Sequence, residues 1–148
     1  MKPLFVLVAA FCITLAATRL CDGRWNFIFS GNLAMSIMLL FTAIGHFKFS
    51  KGMTMMMPGF IPFKKEIVYT TGVIEILASI GLLIPAYRHL ASVLLIIFFI
   101  LILPANINAA IKKIDYQKGT YQGNGINYLW FRVPLQVLFI LWVWYFGM

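Results

Sequence analysis

The stretch Leu90-Ala91-Ser92-Val93-Leu94-Leu95-Ile96-Ile97-Phe98-Phe99-Ile100-Leu101-Ile102-Leu103-Pro104-Ala105-Asn106-Ile107-Asn108-Ala109-Ala110-Ile111 carries no charged side chain. It exceeds the ~20 residues that a helix needs to cross the hydrocarbon of a bilayer. Its apolar residues are continuous rather than alternating, which selects a helix over a strand of a membrane barrel. Four more runs stand around it, from about Pro3 to Thr18, Phe27 to Phe47, Ile67 to Tyr87 and Tyr128 to Gly147. The first is short, the third holds one charge (Glu75), and the last holds Arg132 near its start.

Composition points the same way. The chain of 148 residues is 62% hydrophobic and 11% charged, with a mean hydropathy of +0.93. Soluble domains carry about 25% charged residues, so this chain has too few to cover a water-facing surface. Lipid is then the expected solvent, and in lipid the backbone must satisfy itself as helix or closed barrel. The formal charge of +8 raises nucleic acid as a partner. However, the Lys and Arg sit at the ends of apolar runs, where long side chains reach for headgroups, and not in a basic stripe with interleaved aromatics. No nucleic-acid partner is expected.

With five spans, Lys2, Lys48, Lys51, Lys64, Lys65, Lys112, Lys113, Lys118 and Arg132 fall on one side, against Arg19, Arg24 and Arg88 on the other. The richer side is expected to be cytoplasmic, which puts the N-terminus inside a bacterial inner membrane and the C-terminus on the periplasmic or extracellular side. The first run has the basic start of a signal peptide, but Ala16-Ala17-Thr18-Arg19 lacks a clean small-x-small cleavage site. It reads as a retained helix. Gly72, Ala78, Ser79 and Gly81, with Ala105, Ala109 and Ala110, would let helices approach closely. Trp25, Trp130, Trp142, Trp144 and Tyr145 suit interfacial belts.

Polar residues inside such spans carry the functional signal. Glu75 lies about 12 Å along its helix from Ile67, and an ionisable group at that depth is costly without a role or a partner. Arg132 is the expected partner, offset by ~6 Å along the axis, although it could also snorkel to headgroups. Gln136 shares its helix face. His46 ends the second span, one turn from Thr42. Asn106 and Asn108 follow Pro104, and both Pro104 and Pro134 free carbonyls that need polar partners, a need that Asn106 could meet. His46, Glu75, Asn106, Arg132 and Gln136 together predict a small polar cavity under an apolar roof. The segment 48–65, with Met53, Met55, Met56, Met57, Phe60, Ile61 and Phe63 between lysines, should lie in the interface and cap it. Met is also a soft copper(I) ligand, but adaptable apolar filling is the plainer reading. Cys12 and Cys21 are nine apart, and no zinc, haem, P-loop, nucleotide or nucleophile-elbow spacing occurs. No catalytic residue and no metal site are assigned.

Gly45-His46-Phe47, Pro58, Ile61-Pro62, Thr71-Gly72-Val73-Ile74-Glu75-Ile76, Gly81-Leu82-Leu83-Ile84-Pro85, Arg88, Pro104-Ala105-Asn106-Ile107 and Leu129-Trp130-Phe131-Arg132-Val133-Pro134-Leu135-Gln136 resemble the DoxX-like family of small bacterial membrane proteins. The resemblance covers roughly Asn32 to Tyr145. It implies a transmembrane four-helix core, with Met1 to about Phe29 as an additional N-terminal transmembrane helix. The family's name comes from association with a thiosulfate:quinone oxidoreductase subunit. Other relatives are linked to redox-stress complexes and to membrane-protein assembly. A helper role near quinone is therefore implied, with no catalytic residue to carry over.

The resulting expectation is an all-α protein, residues 1–148 forming one membrane domain. It would act as an accessory or binding subunit whose polar inner-leaflet cavity holds a lipophilic ligand such as a quinone. Partners would be the bilayer, that small molecule and a membrane protein complex. It would have no enzyme activity of its own, serving at most a quinone-linked oxidoreductase. Two alternatives stand beside it: an assembly or interaction factor without ligand, and a proton-coupled small-solute transporter using Glu75.

Overall fold

The computed structural model describes residues 2–148. The elements in order are α1 (Lys2–Asp22), α2 (Phe27–Lys48), the short α3 (Ser50–Met56), α4 (Lys64–Leu83), α5 (Pro85–Ile111), a 3₁₀ turn (Ile126–Tyr128) and α6 (Leu129–Gly147). All except α3 and the 3₁₀ turn are long and apolar enough to cross a membrane, which makes five such helices. No strand forms among the described residues, and the one β-bridge, Asp115 with Thr120, closes a turn.

Helix boundaries depart from the expectation where proline and charge decide them. The third span ends at Leu83, not at Tyr87, and the fourth begins at Pro85, not at Leu90. Pro85 has no N–H to leave unpaired and a φ suited to a first helical residue. The chain therefore turns on Ile84 alone, and Arg88 and His89 fall inside α5. At the other end α4 starts at Lys64, where Phe63 adopts a left-handed conformation, φ 51°. The polar Lys64-Lys65-Glu66 thus form its first turn. The first span likewise continues past Thr18 as far as Asp22. The methionine-rich segment contains a helix, Ser50–Met56, which stops at an extended Met57 because the next residue is Pro58.

α2 lies against α1, α4 and α6, and its Met35, Met38 and Leu39 are fully buried. They meet Leu7 of α1, Leu82 of α4, Leu95 and Phe99 of α5, and Phe139 and Val143 of α6 in one core. Leu77, Leu94, Leu101 and Leu141 point outward, as expected for helices that meet hydrocarbon. At the end remote from the lysines, polar side chains tie helix to helix. Asn32 Nδ2 donates to the Phe146 carbonyl (2.7 Å) and Ser36 Oγ to the Ser79 carbonyl (2.8 Å). Trp142 Nε1 donates to the Gly31 carbonyl (3.0 Å) while Phe11 of α1 packs edge-on to its ring. Trp142 is therefore a helix–helix contact, whereas Trp25, Trp130 and Trp144 are exposed.

Candidate functional site

At the lysine-rich end, two pairs of helices each present a polar cluster. The first pair is α2 and α4. Thr42 and His46 are one turn apart on α2, and Thr71 and Glu75 are one turn apart on α4, so antiparallel packing sets them face to face. Thr42 Oγ donates to Glu75 Oε2 (2.9 Å), and His46 Nε2 lies 3.3 Å from Glu75 Oε1. His46 Nδ1 lies 3.1 Å from the Val68 carbonyl and 3.0 Å from Thr71 Oγ. Thr71 itself donates to that carbonyl. With a hydrogen on Nδ1 the ring donates to the Val68 carbonyl; without one it accepts from Thr71 Oγ, and Nε2 donates to Glu75. The helices come this close because residue 72 is glycine. A Cβ there would stand 2.9 Å from His46 Cβ and 3.2 Å from the Phe47 ring.

The second pair is α5 and α6. Here the hydrogen bonds run in one direction. Arg132 donates to Asn106 Oδ1 (3.0 Å), Asn106 Nδ2 donates to Gln136 Oε1 (3.0 Å), and Gln136 Nε2 donates to the Phe99 carbonyl. Asn106 and Gln136 are buried, and the chain satisfies both amides at a cost that bare hydrocarbon would not allow. The expectation that Asn106 meets a carbonyl freed by Pro104 is corrected: Gln136, from the opposite helix, serves the backbone in that region of α5, and Asn106 bridges to Arg132.

Between the two clusters lies a cavity of about 360 Å³, within the ~300–1,000 Å³ common for small-molecule sites. His46, Glu75, Asn106, Arg132 and Gln136 all line it, so the structure brings together every predicted site residue. It does not pair Glu75 with Arg132. Glu75, only 4% exposed, is held by His46 and Thr42, which are neighbours in the tightly packed α2–α4 pair. Arg132 reaches the nearer α5 instead. Its Nη2 turns inward to a buried amide.

Methionine and phenylalanine supply the rest of the wall, notably Met38, Met53, Met56, Met57, Phe99 and Phe139. The short α3 contributes Met53 and Met56 to this wall. Asn108 Nδ2 donates to the Met56 carbonyl (2.6 Å) and pins α3 to α5. Gly52 lies against the backbone of Tyr116, and Phe49 meets the Tyr116 ring edge-on at 6.2 Å. Lys2, Lys48 and Gln117 line the lysine-rich end, while Phe41 and Ile44 line it and are also exposed on the outer surface. The cavity is thus continuous with the apolar flank of α2. Thr71, the Val68 carbonyl and the partner of Asn108 were not anticipated. The four-residue spacing of Thr71 and Glu75 is the signal that would have found the first. Among the described residues no three His, Cys, Asp or Glu side chains converge as a metal site.

Fold and site define a class: an all-helical chain with five helices fit to cross a membrane and a polar-lined cavity at one end of them. The chain belongs to the family described as Domain of unknown function (DUF8561), whose match spans residues 35–147, from the middle of α2 to the end of α6. No curated protein and no solved structure matches it.

Proposed function

We propose that this protein is a binding or accessory component of the bacterial inner membrane and holds a lipophilic molecule with a polar head, such as a quinone. The observation that carries this reading is the cavity itself. Five polar or charged side chains from four helices share one apolar-walled space, which also reaches the outer surface through Phe41 and Ile44. A tail would lie along that flank and a head among His46, Glu75, Asn106, Arg132 and Gln136. The lysine-rich end would face the cytoplasm by the excess of Lys and Arg there. We read α2, α4, α5 and α6 as the four-helix core, with α1 added, which agrees with a family match that begins inside α2. The DoxX-like resemblance supports the same division and the association with quinone. Mass spectrometry of lipophilic molecules that co-purify in mild detergent tests the proposal. A defined lipid or quinone in stoichiometric amount on the wild type, and reduced on Glu75→Gln, is the expected result. Identical bulk phospholipid on both would overturn it.

A second reading has its own support. Asn32, Ser36 and Trp142 show that this bundle uses polar side chains as helix staples elsewhere. On that reading the Arg132–Asn106–Gln136 chain is also a staple and the protein serves a membrane complex without a ligand. Glu75→Gln would then change stability alone.

A further inference from the structure

The charge distribution around the cavity points to more than a polar head. Glu75 is the only carboxylate among the residues that line it, and it is already engaged by His46 and Thr42. Lys2, His46, Lys48 and Arg132 also line it. With Glu75 engaged by His46 and Thr42, the lining keeps Lys2, Lys48 and Arg132 and no second carboxylate. Arg132 is the critical one. It is half-buried, it lies in the fourth position of α6, and among the described residues its only hydrogen-bond acceptor is Asn106 Oδ1. One amide oxygen answers a single N–H of a guanidinium that has five. An arginine turned into a membrane bundle without a carboxylate is costly unless an anion joins it.

The hydrogen-bond polarity reinforces this. The chain Arg132→Asn106→Gln136→Phe99 carbonyl is donor-to-acceptor throughout. Each acceptor in it already takes a hydrogen bond from the residue before, so the largest set of unused groups it offers to a ligand is the remaining N–H groups of Arg132. They form a fork matched to carboxylate and phosphate oxygens.

We infer that the occupant of this cavity is an anionic amphiphile, with a carboxylate or phosphate head on Arg132 and a hydrocarbon tail leaving past Phe41 and Ile44. The inference rests on the reading of the cavity as a ligand site and specifies the head. Lys2 and Lys48 would draw the anion in from the lysine-rich face.

The test is native mass spectrometry of the full chain in a neutral detergent, titrated separately with palmitate, methyl palmitate, hexadecyl phosphate and inorganic phosphate. We expect palmitate and hexadecyl phosphate to bind the wild type at least ~10-fold more tightly than the ester, the order of one charge-assisted hydrogen bond. Arg132→Gln should erase that preference, and Arg132→Lys, which keeps the charge but not the fork, should keep part of it. Equal binding of acid and ester would overturn the inference while leaving a lipophilic site in place. Binding of none of the four would overturn both. Inorganic phosphate binding as tightly as hexadecyl phosphate would overturn the lipid assignment in favour of a small soluble anion. If Arg132→Gln does not fold, the acid–ester comparison on the wild type decides alone.

Discussion

Gly72 sets how closely the His46–Glu75 dyad is held. Its missing Cβ is the space into which His46 Cβ and the Phe47 ring fit. Gly72→Val should push α4 from α2 and destabilise the protein by about 1–3 kcal/mol, the usual range for overpacking, and a drop in Tm in detergent would show it. An unchanged Tm would mean that the α2–α4 contact tolerates a shift, and the dyad geometry would not be rigid. At this scale the sequence was informative about membership and uninformative about pairing. His46, Glu75, Asn106, Arg132 and Gln136 stand out because polar groups inside apolar runs are costly. Which of them bond depends on helix rotation and lateral neighbours, and these are not encoded in depth along a span. Glu75 and Arg132 are near in depth, but α4 packs on α2 and α6 on α5, so each finds a different partner.

At the scale of elements, the runs of uncharged residues locate the five long helices, and only their ends were hard to read. Proline starts a helix at Pro85, inside what read as the third span, and Lys64-Lys65-Glu66 open α4 where charge suggested its outside. That the methionine-rich segment contains a helix was not legible, because seven residues are too few to show a period. This element has one side-chain tether to α5, Asn108 to the Met56 carbonyl. Asn108→Ala should release it. The expected readout is faster amide hydrogen exchange across Ser50–Met57, with exchange in α4 and α5 little changed. Equal exchange in variant and wild type would assign the hold on α3 to Gly52 and Phe49 against Tyr116 instead.

For the whole molecule, the bias of Lys and Arg predicts which end faces the cytoplasm. The two cysteines report on it without engineering. Cys21 closes α1 at the lysine-poor end, while Cys12 sits halfway along the same helix, and both are exposed on its surface. A membrane-impermeant maleimide applied to intact cells should label Cys21 and spare Cys12. Labelling of Cys21 only after the membrane is breached would invert the orientation, and with it the leaflet in which the cavity opens.

The connection between α4 and α5 is a single residue, Ile84, closed further by Arg88 Nε donating to the Leu82 carbonyl at 3.1 Å. So tight a link bears on biogenesis. We expect α4 and α5 to enter the bilayer together as one hairpin. α4 is the less apolar of the pair and carries Glu75, whereas α5 has no acidic residue and is the most apolar span of the five. The partition free energy of the second helix therefore offsets the cost of delivering a carboxyl group into the membrane before α6 has been synthesised, at a time when the cavity that Glu75 will line does not yet exist.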